Sequence, residues 1–201
     1  MKEKMNVGEI IKVGIILFVI TAVLAALLAF VNAKTAPLIE QNAVLAEQDA
    51  MKTVMPDASE FEEMELTADL ISIAEEKGGE IDKVVSAKDS SGEEIGICVK
   101  TVTTGYDIGI EAVTGIDKDL IITGVDIISM NETPGLGAKA DEPDFRAQYE
   151  GKTGEIEVVK TAAGDTSIQA IAGATKTSNG VTKGVNIALE AAGILLEGGA
   201  E

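Results

Sequence analysis

The residues best suited to chemistry lie in two short loops. The later loop reads Ile171-Ala-Gly-Ala-Thr-Lys-Thr-Ser-Asn-Gly180. Gly173 and Ala174 let backbone approach a ligand closely. Thr175, Lys176, Thr177, Ser178 and Asn179 each carry a hydrogen-bonding side chain. The loop leads into a run with helical spacing, and hydroxyls combined with the free N–H groups of a helix start suit a phosphate. Spacing alone leaves an ordinary capped turn open, with Ser178 as the N-cap. A Walker A loop is excluded, because Thr175 and Ala170 stand where glycines are required before Lys176-Thr177.

The earlier loop reads Asn131-Glu-Thr-Pro-Gly-Leu-Gly-Ala-Lys139. Pro134-Gly135 is a turn signal, and Gly137 is a second permissive position. Leu136, held between glycines, could lie against a flat ring; a surface turn with one buried leucine reads as well. Glu132 could pair with Lys139 and brace the loop, or contact a ligand.

The composition narrows the chemistry. The chain has no His and one Cys, Cys98. It therefore lacks an imidazole base and the thiolates for an iron–sulfur cluster or a Cys-based zinc site. Without those groups a redox role requires a bound organic cofactor, and no residue stands out as a general base. Residues 1–34 hold Lys2, Lys4, Lys12 and Lys34 against Glu3 and Glu9, a net of +2, whereas the whole chain carries -18. A bulk this acidic repels phosphate backbones and excludes nucleic acid as a partner.

The elements that must position these loops follow from periodicity. Val13 to Val31 is uninterrupted by charge, and at about 1.5 Å per residue it spans about 28 Å, close to a bilayer's hydrocarbon core. It is expected to be a membrane anchor, with the N-terminus cytoplasmic because Lys2, Lys4 and Lys12 flank that side. A cleaved signal peptide, with Val31-Asn32-Ala33 as a loose cleavage site, is the competing reading. The chain is expected to divide into an N-terminus and anchor (1–34), a stalk helix (35–56) with Pro37 in its first turn and Pro56 stopping it, and an extracytoplasmic domain (57–201).

Within that domain an acidic stretch runs from Asp57 to Glu65. Strand patterns follow at Ile81–Lys88 and Ile95–Thr103, then at Tyr106–Ile116 and Leu120–Met130, each pair around a turn. Ile110, Ala112, Val113, Val125, Ile127 and Ile128 are the expected core. Glu155–Lys160 and Ile168–Ile171 are further strand candidates, and a short helix is expected around Pro143–Tyr149. Val181, Val185, Ala188, Leu189, Ala192, Leu195 and Leu196 mark a closing helix from Ser178 to Gly198-Gly199. The expected fold is α+β: one N-terminal transmembrane helix, then a largely antiparallel sheet and a C-terminal helix.

Together, the anchor, Gly105-Tyr106, Glu132-Thr-Pro-Gly-Leu-Gly137, Phe145 with Gly151-Lys152, and Gly173-Ala-Thr175 with Thr177-Ser-Asn-Gly180 resemble the FMN-binding domain family. That family is shared by the G subunit of the Rnf complex and the C subunit of sodium-pumping NADH:quinone reductase. The short chain resembles the G subunit of Rnf more closely. The resemblance implies FMN attached covalently, through its phosphate, to Thr175. It implies a separate flavin transferase using FAD, and the 132–137 loop beside the isoalloxazine ring. The implied binding set is Thr175, Gly173, Ala174, Lys176, Thr177 and Ser178 at the phosphate, with Glu132, Thr133, Gly135, Leu136, Gly137 and Tyr106 near the ring; core packing is the alternative for Tyr106. Two positions depart from the family pattern: Ala172 replaces a hydroxyl residue, and Gln169 replaces an acidic one.

The implied role is electron relay within a membrane redox-driven ion pump, a ferredoxin:NAD oxidoreductase. The implied partners are other membrane subunits, including a second flavin-bearing one, iron–sulfur subunits, and the lipid bilayer. The alternatives are an exported flavin-carrying protein of another respiratory system and a non-redox exported binding domain.

Overall fold

The computed structural model describes residues 7–197. Lys2, Lys4 and the Gly198-Gly199 helix stop lie outside the described residues. The chain divides into two compact units, Met1–Leu45 and Ala46–Glu201. A single helix, α1 (Val7–Val54), supplies all the described structure of the first unit and enters the second. Its 48 residues extend about 72 Å at about 1.5 Å per residue. Part of it is long and apolar enough to cross a membrane.

Pro37 lies inside α1 rather than in the first turn of a separate stalk helix. An interior proline costs about 3 kcal/mol in lost hydrogen bonding and steric clash. Good helix formers on both sides (Ala33, Ala36, Leu38, Glu40, Gln41) offset that cost. The helix ends at Val54, two residues before Pro56, as the sequence predicts.

Five strands form one antiparallel meander in sequence order: β1 (Glu60–Glu63), β2 (Glu80–Lys88), β3 (Glu94–Thr104), β4 (Ile108–Asp117) and β5 (Ile122–Ser129). The short β1 pairs through Phe61 with Ala87, and so lies inside the stretch read from sequence only as acidic. Helix α2 (Ala68–Glu76) follows it and buries Leu70 and Ala74. α3 (Pro143–Arg146) continues as a 3-10 turn to Tyr149. The short β6 (Glu157–Val159) and β7 (Ser167–Gln169) pair in parallel. Helix α4 (Thr175–Glu197) closes the described chain.

The sheet separates two cores because strand side chains alternate between faces. On β3, Ile97 and Val99 join the core under α4, whereas Cys98 joins the core beneath the end of α1. Ile110, Ala112, Val125 and Ile127 belong to the α4 core and Val113 to the other. Ile128 is only partly buried and packs on the α1 side. Burial pushes the Cys98 thiol up to about 12. The end of α1 approaches β4 and β5 closely where Gly115 and Gly124 leave room for Val54, and the Thr123 hydroxyl donates to the Val54 carbonyl at 2.6 Å.

α4 lies equally close to β3. A side chain at Gly180 would meet the Thr104 carbonyl at 2.8 Å, and one at Gly184 would meet the Thr101 hydroxyl at 2.6 Å. The Thr103 hydroxyl donates to the Gly180 carbonyl at 2.9 Å. These contacts place the start of α4 beside the turn that joins β3 to β4. Deeper in the core, the Tyr149 hydroxyl and Thr182 Oγ1 lie 2.8 Å apart, and Thr182 also donates to the Ser178 carbonyl.

Candidate functional site

Both loops are built on the same local device. In Thr133-Pro134-Gly135-Leu136 the Leu136 N–H donates to the Thr133 carbonyl at 3.1 Å, and Gly135 has φ +77°. Proline second and a positive-φ glycine third is the signature of a type II turn. In Ile171-Ala172-Gly173-Ala174 the Ala174 N–H donates to the Ile171 carbonyl at 2.9 Å, and Gly173 has φ +80°. α4 starts immediately afterwards at Thr175. The Ala174 carbonyl accepts from the Ser178 N–H at 3.1 Å, so the first-turn N–H groups of Thr175, Lys176 and Thr177 point out of the helix end.

The two turns face each other. A side chain on Gly173 would meet Leu136 Cδ2 at 3.3 Å. Between them lies a cleft of about 520 Å³, within the range of about 300–1,000 Å³ usual for small-molecule sites. Thr133, Leu136 and Gly137 line one wall; Gly173, Ala174, Thr175, Lys176 and Thr177 line the other; Tyr106 and Glu132 complete it. Leu136 is 46% exposed and Tyr106 74%, so both offer apolar surface at the mouth. Lys176 Nζ lies 5.7 Å from the Tyr106 ring centre, a cation–π distance.

Glu132 ties three elements together. Its Oε1 accepts from the Tyr106 N–H at 2.8 Å and the Asp107 N–H at 3.3 Å, and its Oε2 accepts from the Thr177 hydroxyl at 2.9 Å. The carboxylate is thus fixed by the β3–β4 turn on one side and by the first turn of α4 on the other. Glycine is required at 105 and 137, because a side chain at either would run into a Glu132 carboxylate oxygen. Asn131 reinforces the link by donating to Asp107 Oδ2 at 3.1 Å.

The donor set fits an FMN phosphate and ring. It combines an open helix N-terminus, threonine hydroxyls, a glycine turn without a Cβ beside Leu136, and the exposed side chains of Leu136 and Tyr106. Comparison with known proteins agrees. The model of the FMN-binding domain family matches residues 105–190, and that of the RnfG N-terminal region matches residues 1–54. The chain is 43% identical over 200 residues to the G subunit of the Na(+)-translocating ferredoxin:NAD(+) oxidoreductase complex of Acetobacterium woodii, covering 94% of this chain and 95% of the relative. This chain belongs to the RnfG family. It is also 34% identical to the G subunit of the proton-translocating ferredoxin:NAD(+) oxidoreductase complex of Clostridium ljungdahlii, covering 78% of this chain and 77% of that one. Among solved structures, NqrC of Shewanella oneidensis is similar, at 21% identity and a TM-score of 0.49, with 71% of this chain and 70% of that chain covered.

In this RnfG family member, ten of the twelve residues expected from sequence line one cleft; Gly135 and Ser178 do not. Gly135 sets the turn that presents Leu136. Ser178 is not the N-cap, because α4 begins three residues earlier, and its hydroxyl faces inward. It accepts from the Ile171 N–H at 3.0 Å, donates to the Ala174 carbonyl at 3.1 Å, and is fully buried. Glu132 does brace its loop, but through Thr177 and two backbone N–H groups rather than through Lys139. Tyr106 sits in the turn before β4 and is exposed, so core packing does not apply. Sequence reading missed Asp107, whose side chain accepts from Asn131 and from the Ile108 N–H. Its signal is weak: one acidic residue between Tyr106 and Ile108.

Proposed function

We propose that this chain is the membrane-anchored electron-relay component of an Rnf-type, ion-translocating ferredoxin:NAD oxidoreductase, carrying one FMN joined through its phosphate to Thr175. The observation that carries this reading is the position of Thr175. It is the first residue of α4, half-buried, and it opens onto the cleft directly opposite the 133–137 turn.

The residues divide the work. Thr175 Oγ1 is the tether. The N–H groups of the first turn of α4 and the positive end of the helix dipole hold the phosphate charge. Lys176, exposed at the lip, adds a cation. Leu136 and Thr133 form the wall against which the ring lies, and Tyr106 shields the mouth. FMN supplies one- and two-electron redox chemistry when bound. Attachment forms a bond from Thr175 Oγ1 to the flavin-side phosphorus of FAD, breaks the pyrophosphate bond and releases AMP. The hydroxyl proton passes to the transferase, since Glu132, the only carboxylate among the described residues that line the cleft, already accepts three hydrogen bonds.

The remaining assignments support the same role. The apolar part of α1 is a retained anchor with the N-terminus cytoplasmic, and residues 57–201 form the flavin domain outside. No charged residue lies between Val13 and Val31, so the anchor conducts no ion by itself. Partner subunits, among them a second flavin-bearing membrane subunit and iron–sulfur subunits, supply ferredoxin oxidation, NAD reduction and the ion path. The test is a denaturing gel viewed under ultraviolet light. The chain from cells containing the transferase is expected to fluoresce, and Thr175→Ala to be dark. Fluorescence retained in Thr175→Ala refutes the attachment site.

A further inference from the structure

We infer that the Glu132 carboxylate is a fixed negative charge in the wall of the cleft that holds the flavin's reduction potential down. This rests on the FMN reading of the cleft. Glu132 is 9% exposed and lines the same cavity as Thr133, Leu136 and Thr175. Its charge has no cationic counterpart: among the described residues it makes no ion pair, and its partners are two backbone N–H groups and one hydroxyl. Lys139, which sequence places within reach, makes no ion pair with it. Lys176 is exposed and directed over the Tyr106 ring, where water screens it.

The charge is also immobile. The two backbone donors come from the β3–β4 turn and the hydroxyl from the first turn of α4. The missing side chains at Gly105 and Gly137 leave just enough room for the carboxylate. A mobile surface carboxylate would swing into water when the ring gained electrons; this one is held. Two-electron reduction of a flavin takes up one proton from solvent and leaves one negative charge on the ring, and in this cleft that charge would meet the carboxylate across a partly desolvated space. The reduced form is raised in energy relative to the oxidised form.

Two substitutions separate this effect from loosening of the cleft. Glu132→Gln keeps the shape and an acceptor oxygen for the Tyr106 and Asp107 N–H groups, and its amide can donate to Thr177; only the charge is lost. Thr177→Val keeps the charge and removes the hydroxyl dipole that partly neutralises it. The two are expected to shift the potential in opposite directions, whereas loosening would move both the same way.

The experiment uses the full-length chain, flavinylated in cells with the transferase. Flavin loading is read by intact mass, and the potential by dithionite titration against reference dyes. Glu132→Gln is expected to favour reduction at least tenfold, a rise of about 30 mV for a two-electron couple, and Thr177→Val to lower the potential. Equal potentials in loaded wild type and Glu132→Gln, or a rise in both variants, overturn the inference while leaving the FMN assignment intact. A wild-type chain without added mass sinks the FMN assignment and this inference with it. If Glu132→Gln takes up no flavin, Thr177→Val decides alone: a fall supports the inference, and no change or a rise overturns it.

Discussion

Replacing Gly137 by alanine tests how tightly the site is built. A Cβ at this position would lie 2.6 Å from Thr177 Oγ1 and 3.0 Å from Glu132 Cβ, with the Glu132 carboxylate closer still. Carbon contacts settle at about 3.5–4.0 Å, so the overlap approaches 1 Å. The clashing atoms are not free side-chain ends. Thr177 Oγ1 and Glu132 Oε2 are hydrogen-bonded to each other at 2.9 Å, and both residues are buried. Relief therefore requires breaking that bond, at about 1.5–3 kcal/mol for a charged partner, or moving the loop, at about 1–3 kcal/mol for overpacking. The expected loss is about 3 kcal/mol, or roughly 6–12 °C in Tm for a unit of this size. The assay is thermal unfolding of the detergent-solubilised chain, followed by circular dichroism. Glu132→Ala removes the carboxylate and frees the Thr177 side chain to rotate, so Gly137→Ala on that background should cost about 1 kcal/mol or less. The coupling would then be about 2 kcal/mol, far outside the about 0.5 kcal/mol scatter of independent sites. Additive losses in the double variant, or a Tm for Gly137→Ala within 2 °C (about 1 kcal/mol or less) of wild type, would refute the geometry.

Three further outcomes are expected. Cys98 has its thiol pushed up to about 12 by burial, so about one molecule in ten thousand is thiolate at about pH 8; iodoacetamide should label it in urea and leave the native chain untouched, and rapid native labelling would contradict the packing beneath α1. Lys100 reaches Asp82 at 2.7 Å, Glu47 at 3.2 Å and Glu111 at 3.5 Å. Burial alone would lower its pKa, but hydrogen bonds and attraction from Asp82 and Glu47 outweigh that and raise it above the ordinary lysine value. A raised folded pKa stabilises fully below the unfolded value and fades as pH climbs through the folded one. Stability should therefore decline above about pH 10.5, and less steeply in Lys100→Met; identical alkaline profiles would dismiss the network. Tyr149→Phe removes only the hydroxyl paired with Thr182 and should cost about 1 kcal/mol, against about 3–5 kcal/mol for Tyr149→Ala, both read as shifts in the same unfolding midpoint.

Local signals in the sequence account for much of this protein. The uncharged run from Val13 to Val31 makes an apolar helix whatever surrounds it. Strand patterns in 95–103 and 120–130 make strands, and in each cleft loop a glycine at the third position of a turn makes a type II bend, because only glycine takes positive φ without strain. Pro56 ends α1 for a similarly local reason. The FMN-family pattern was legible because each of its separate motifs depends on residue types within a few positions of one another, in a fixed order along the chain.

Tertiary structure decided what those residues touch. Glu132 and Thr177 are 45 positions apart, and no periodicity announces that one donates to the other. Ser178 has the type of an N-cap and of a phosphate ligand, but the helix starts at Thr175 and the packing of α4 on β3 turns its hydroxyl into the core. β1 forms from an acidic stretch because β2 offers an open edge, and pairing there satisfies backbone groups that composition does not reveal. In each case a local preference worth about 1 kcal/mol was set by contacts between segments distant in the chain.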